Sequence, residues 1–255
     1  MINPRQVQIL IADENSSVRE LLVTRFAIFG FQTLLASTAE EAWQKIRSDS
    51  SIKILVTGLS KPGMDSHALI KKCKEANPES PRIFAIAGTN QFAAENIFSL
   101  GAEGILHQPF DARNLLNITR NSLLNLAERL RYPPYIAASG HLQTQHPNLK
   151  SAAPNFILGR GGFYVSSEKP LPALGQVLSF DFELGEVTLV GNGVLRWCRG
   201  ESAAPQMAGV EFTYLKPKSI QSFQAWIEKN PTCAFIPSPQ SVSSMPSMAK
   251  LQSTG

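Results

Sequence analysis

Cysteine is scarce: Cys73, Cys198 and Cys233 are scattered through 255 residues and form no C-x-x-C pair. An odd, dispersed set argues against a zinc site or a disulfide framework and for a reducing compartment. Long apolar runs are missing as well. Nothing approaches the length of a membrane span, and the first residues, MINPRQVQILIAD, lack an extended apolar stretch and a small-residue cleavage site. The expectation is a cytoplasmic protein with no membrane insertion. Blocks of one charge are absent too. Up to Arg131 there are 15 Lys and Arg against 13 Asp and Glu, and beyond it 9 against 7, so the halves share the net +4 equally. A nucleic-acid surface would gather its basic residues into a patch or stripe. No nucleic-acid partner is expected.

What is present is an alternation. Val7–Ala12 is a β-rich run ending at Asp13-Glu14, and Asn15 or Ser16 can cap the helix that follows. In that helix Val18, Leu21, Leu22, Phe26 and Phe29 recur at helical spacing up to Gly30. Thr33–Ala36 predicts a second strand and Ala39–Arg47 a second helix. The pattern repeats with strands at Ile52–Thr57, Arg82–Ala87 and Gly104–His107. Helices follow at Ser66–Glu75, at Phe92–Leu100 and from Asp111 to about Arg131. Five strands alternating with five helices predict an α/β fold built on a doubly wound, five-stranded parallel sheet. Ligand sites in such sheets lie at the carboxyl ends of the strands, where Asp13, Glu14 and Gly58 fall.

From Gly161 the chain turns β-rich, with GGFYVSS, QVLSFDFEL, VTLVGNGVLRWCR and MAGVEFTYL. Leu178, Phe180, Phe182 and Leu184 alternate with Ser179, Asp181 and Glu183, the period of a half-buried strand. Such strands in series predict a small all-β barrel. One further strand is expected around Ile136–Leu142, and a C-terminal amphipathic helix at Lys218–Lys229. A Ser/Pro-rich end predicts a disordered tail. The expected organisation is 1–131, 132–235 and a tail over 236–255.

The stretch Lys53–Ser66, KILVTGLSKPGMDS, resembles the phosphorylation strand and loop of bacterial response-regulator receiver domains, whose pattern is D-L-x-M-P-G-M-D-G. Asp13-Glu14 matches the family's acidic pair, and GAEGILHQPF, Gly101–Phe110, is similar to its G-A-D-D-F-L-x-K-P-F. The resemblance implies a receiver fold and a place in two-component signal transduction. Its departures fall on the chemistry. Gly58 stands where the phosphoacceptor Asp belongs, Ala87 at the Ser/Thr that bonds the phosphoryl group, Gln108 at the Lys, and Ile105 at the switching aromatic. Phosphoryl transfer to a carboxylate needs that nucleophile, a Mg²⁺ and cations or donors around the oxygens. Asp13 and Glu14 alone offer a hard cation too few oxygens, and His67 and His107 read as surface or satisfied loop histidines. The expectation is a pseudo-receiver with no phosphoacceptor, no catalytic residue and no metal. A third reading, a regulator phosphorylated at another acceptor such as Asp65, is disfavoured because Asp65 would sit beyond the strand end.

The second half is similar to PilZ domains, through Gly161-Gly162-Phe163-Tyr164-Val165, Gly193-Val194-Leu195-Arg196-Trp197 and Gly209-Val210-Glu211-Phe212. Domains of that family often bind cyclic di-GMP through R-x-x-x-R and [D/N]-x-S-x-x-G. Leu130 and Pro134 fall at the two arginine positions, flanked by Arg129 and Arg131. In the second motif, which aligns with Ile157–Gly162, only Gly162 survives. Arg129, Arg131, Arg160, Gly161 and Gly162 are the candidates for a divergent site; the alternative is a turn glycine pair with solvated arginines.

Both halves keep scaffold sequence and lose ligand chemistry. The expected function is a non-enzymatic bacterial signalling adaptor, acting by protein–protein contact in a signalling or motility pathway and needing no cofactor. The alternative is a cyclic di-GMP receptor with a divergent site. The receiver resemblance implies a partner face on the fourth helix, fifth strand and fifth helix, here with Phe92 and Phe98. The distal part of the closing helix, Leu124–Leu130, is expected to run past the sheet and meet the second half or a second subunit, as a homodimer through 111–131.

Overall fold

The computed structural model describes residues 7–59, 65–87, 94–109, 111–146, 156–168, 170–184, 187–200, 206–232 and 234–239. Residues 60–64 of the Pro-Gly loop, Phe92, Cys233 and residues 240–255 of the expected tail lie outside them.

Strand β1 (Gln8–Ala12) buries Ile9 and Ile11 on one face and Leu10 and Ala12 on the other. Both sides of the pleat are covered, as a parallel sheet between two helical layers requires. With β2 (Gln32–Ala36), β3 (Ile52–Gly58), β4 (Arg82–Ala87) and β5 (Gly104–His107) it forms a sheet in the order β2-β1-β3-β4-β5, every pair parallel. Helix α1 (Ser16–Ile28) and helix α5 (Ala112–Leu123) cover one face, bringing Leu22, Phe26 and Leu115 onto Ile9, Ile54, Val56 and Phe84. Helices α2 (Ala39–Ser48), α3 (Ser66–Ala76) and α4 (Ala94–Leu100) cover the other with Ala42, Leu69, Ile70 and Ile97. Side chains of Asn15, Thr38 and Asp65 each accept a first-turn N–H and start α1, α2 and α3. Asp65 is therefore a helix cap.

The single closing helix is not there. After α5 stops at Leu123, a separate turn, α6 (Leu126–Arg129), begins. The Asn125 side chain accepts the Glu128 N–H at 2.9 Å, and Glu128 accepts the Asn125 N–H at 3.1 Å. This reciprocal capping box starts a new helix, where the sequence predicts a single helix from Asp111 to about Arg131. Leu126 and Leu130 then turn into the core of the second half, where Leu215 N–H donates to Leu130 O at 3.0 Å. The distal leucines meet the second half, so the continuous helix 111–131 expected as a dimer surface is absent.

The second half is a six-stranded mixed sheet: β6 (His141–His146), β7 (Phe156–Leu158), β8 (Gly162–Ser167), β9 (Val177–Leu184), β10 (Val187–Arg199) and β11 (Gln206–Leu215). Its order is β6-β9-β10-β11-β8-β7, with β6 parallel to β9 and the other pairs antiparallel. The expected closed barrel is not formed: among the described residues β6 and β7 remain edges. Closure requires the first and last strands to pair in a staggered register, and β7, three residues long, offers little edge. The strand expected at Ile136–Leu142 lies later, because the chain through Tyr132, Tyr135 and Ile136 is exposed. Leu178, Phe180 and Phe182 do point inward, into a ring cluster with Phe156, Phe163, Phe212 and Phe223. Its stacked and edge-on neighbours stand 4.9–5.6 Å apart. Helix α7 (Pro217–Lys229) seals the sheet with Ile220 and Phe223. The chain stays packed beyond it. Ile236 and Ser238, placed in the tail by composition, are buried.

Candidate functional site

The carboxyl ends of β1 and β3 bring Asp13 beside Gly58. The Asp13 carboxylate is 4% exposed and lies over the open face of the glycine. A Cβ on Gly58 would stand 2.1 Å from Asp13 Oδ2 and 2.8 Å from its Cγ. The carboxylate thus fills the volume a side chain at position 58 would need. Asn15 N–H donates to Asp13 Oδ1 at 2.8 Å, and Arg19 donates to the Asp13 carbonyl at 2.6 Å. Burial raises the Asp13 carboxyl above the ordinary carboxylate value, and the Asn15 N–H opposes that rise. Glu14 faces solvent, so the acidic pair is divided between interior and surface. Below, the Ser66 hydroxyl donates to the Gly58 carbonyl. Ala87 is buried at the end of β4, beside His107 of β5, while Gln108 is exposed. Ile105 packs at the meeting of two apolar clusters. Among the described residues the end of β1 and β3 offers one buried carboxylate, Asp13, with the Arg19 guanidinium held on its backbone carbonyl.

A second constellation joins the two halves, and sequence reasoning missed its centre. Glu103, buried just before β5, accepts Lys74 Nζ at 2.7 Å and the Ile83 N–H at 2.6 Å. Arg160 Nη2 stands 2.5 Å from the same carboxylate oxygen and Arg82 Nη1 at 3.5 Å. Burial opposes the charge on Glu103, but Arg160, Lys74 and Arg82 outweigh it and hold the carboxyl below its ordinary value. Burial pushes Lys74 down to about 8, against the pull of Glu103. Arg160 also donates to the Gly101 carbonyl. It is a buried ion-pair partner and not a solvated arginine.

Around this pin lies an apolar seam. Phe98 of α4 stacks on Phe235 at 6.3 Å, and Phe235 N–H donates to Phe98 O at 3.0 Å. Ile157, Tyr164, Trp197 and Ile236 complete the cluster. At its rim Arg199 Nε stands 2.5 Å from Glu95 Oε2, an ion pair without hydrogen-bond alignment. Phe98, expected on an open partner face, is covered by the chain's own second half.

The turn at 159–161 is occupied from within. Arg160 N–H donates to Ala234 O at 3.1 Å and Gly161 N–H to Phe235 O at 2.9 Å. A Cβ on Gly161 would fall 1.9 Å from the Phe235 ring, and one on Gly159 2.6 Å from Pro237. Gly162 opens β8 and is not part of a free turn. The three arginines are divided: Arg160 and Arg129 lie 5.2 and 5.5 Å from the Phe235 ring, whereas exposed Arg131 rests 5.7 Å from Tyr132.

Among the described residues no helix is long and apolar enough to cross a membrane. Residues 9–120 match the response regulator receiver domain family. Response regulator SaeR of Staphylococcus epidermidis is 26% identical over 120 residues, 47% of this chain and 52% of that protein. SaeR of Staphylococcus aureus is 24% identical over 126 residues, 49% of this chain and 54% of its own length. The chain spans about half the length of the curated relatives it matches. A solved response regulator receiver domain protein from Clostridium thermocellum shares 20% identity at a TM-score of 0.43, covering 46% of this chain and 94% of its own. Residues 9–120 of this chain are a response regulator receiver domain.

Proposed function

We propose that this protein is a non-enzymatic bacterial signalling adaptor that works by protein–protein contact. In this reading its receiver domain is a pseudo-receiver, and its second half is a PilZ-like module that does not take cyclic di-GMP. The observation that carries it is Gly58, which has no nucleophile and whose side-chain volume is filled by Asp13. Ala87 and Gln108 add neither a hydroxyl nor a cation at the same corner. The absence of a cyclic di-GMP site is supported by the Phe235–Pro237 segment lying on Gly159–Gly161, and by the engagement of Arg160 with Glu103. On this reading the α4–β5–α5 side receives the second half, and outside partners meet the remaining surface.

Two measurements on the full chain test it. Intact mass after incubation with acetyl phosphate is expected to stay unchanged, and calorimetric titration with cyclic di-GMP is expected to match the GTP control. A gain of one phosphoryl mass on any carboxylate overturns the pseudo-receiver. Micromolar binding of cyclic di-GMP, lost on charge reversal of Arg131 or Arg160, establishes the receptor alternative instead.

A further inference from the structure

Between α5 and β5 on one side and β10, β11 and Phe235 on the other lies a cleft of about 560 Å³, within the ~300–1,000 Å³ range of small-molecule sites. Phe84, Phe98, Ile105, Leu195 and Phe235 give it apolar walls drawn from both halves. Arg129 projects into this lining from α6. The other charges around the cleft are matched. Glu103 has Lys74, Arg82 and Arg160, and Glu211 has Arg196 at 2.6 Å. Arg129 makes no side-chain hydrogen bond or close ion pair among the described residues, and Glu211 and Glu103 act on it only from farther off. Its Nε is closed off from water without a hydrogen bond, and its neighbour is the Phe235 ring at 5.5 Å. Burial, and then the nearby Arg82, push its pKa down to about 10 against the pull of Glu211 and Glu103, so it stays charged at neutral pH. The half-buried guanidinium thus keeps one N–H shut off from water without an acceptor, and that loss costs free energy unless something returns the interaction.

We propose that this cleft binds a small aromatic anion, a carboxylate or phosphate monoester, whose acid group pairs with Arg129 and whose ring lies against Phe84, Phe98 and Phe235. The planar guanidinium fork suits either acid, because it can offer two parallel N–H donors. The apolar walls account for the aromatic body. Because those walls come from both halves, an occupant favours their docked arrangement by binding it and not the separated one. This site is distinct from the turn at Gly159–Gly161, and Arg131 takes no part in it.

The test uses the full chain with 2-naphthoate, 2-naphthyl phosphate and the neutral isostere 2-naphthamide, followed by calorimetry and thermal unfolding. At least one of the two acids is expected to bind saturably below about 1 mM and raise Tm, with the amide about 10-fold weaker or more. Arg129→Met is expected to abolish the preference for the acid, and Arg129→Lys to retain part of it. Asn121→Trp, on the exposed rim of the cleft, leaves Arg129 in place and is expected to block the ring, so the result does not depend on Arg129 variants folding. Equal affinity for acid and amide, unchanged binding by Asn121→Trp, or no saturable binding of either acid overturns the site.

Discussion

Arg160 of the second half and Glu103 of the receiver domain meet at 2.5 Å with both side chains buried. A charge pair in that position is weak support for net stability, yet breaking it from one side leaves the other charge unmatched. Glu103 would keep Lys74 and Arg82 if Arg160 were removed. Arg160→Met is therefore expected to cost about 3 kcal/mol, the low end for a broken buried pair. Glu103→Gln, which removes the one carboxylate that Lys74, Arg82 and Arg160 share, should cost more. Chemical denaturation of the two variants checks the order, and equal loss from both would sink it.

The same carboxylate predicts an acid limb. Folding holds Glu103 below its ordinary 4.5, so below that value the unfolded chain takes up a proton before the folded one does. The stabilisation is complete above 4.5 and is lost as pH falls toward the lowered folded value. Asp13 works in the opposite direction, since its folded value is raised above 3.8 and its contribution fades as pH rises. The wild-type curve therefore mixes the two. Glu103→Gln should flatten the loss of stability below 4.5, while Asp13→Asn should leave that loss in place or steepen it. Denaturant midpoints between pH 3 and pH 7 provide the measurement (about 4 units of range).

Restoring an acid at the receiver corner is expected to fail. Even Gly58→Ala places a methyl 2.1 Å from Asp13 Oδ2, and overpacking of this kind costs about 1–3 kcal/mol. Gly58→Asp adds repulsion between two carboxylates and finds no hydroxyl at Ala87 and no ammonium at Gln108. Acetyl phosphate should leave the mass of this variant unchanged. Asp13→Ala should relieve the clash, so that Gly58→Ala costs less in that background than in the wild type. A strictly additive double-mutant cycle would contradict the contact.

What the sequence made legible was local. Strand alternation at Leu178, Phe180 and Phe182, and the missing carboxylate at Gly58, depend on residue type and short spacing. The break at Asn125 was local as well, but Asn125 and Glu128 lie inside the stretch from Asp111 to about Arg131 that reads as one helix. The seam was illegible for a different reason. Lys74 and Glu103 are 29 residues apart, and Arg160 reaches Gly101 across 59. No spacing rule links such positions, and Glu103 stood unremarked inside the stretch Gly101–Phe110. Phe235-Ile236, two apolar residues at the edge of a Ser/Pro-rich end, were the one available hint that the chain stays packed after α7. Barrel closure could not be judged from strand count, because it depends on whether short β7 meets β6.

The seam itself is expected to depend on Phe235. Its ring stacks on Phe98 at 6.3 Å, lies beside two guanidiniums, and occupies the space that a side chain on Gly161 would need. Truncation removes all of these at once, and Phe235→Ala should cost about 3–5 kcal/mol as a core aromatic deletion. The loss should be local before it is global, because the two sheets have separate cores. Hydrogen exchange is expected to accelerate in α4 and in the turn at 159–161, with the cores of both sheets still protected. Trp197, buried in the same cluster and stacked on Tyr164 at 6.1 Å, should shift its emission to the red as water enters. Faster exchange spread evenly through both halves would instead mean that the ring supports global stability and not the joint. Unchanged exchange in α4 would mean that the Glu103 ion cluster holds the halves together without it.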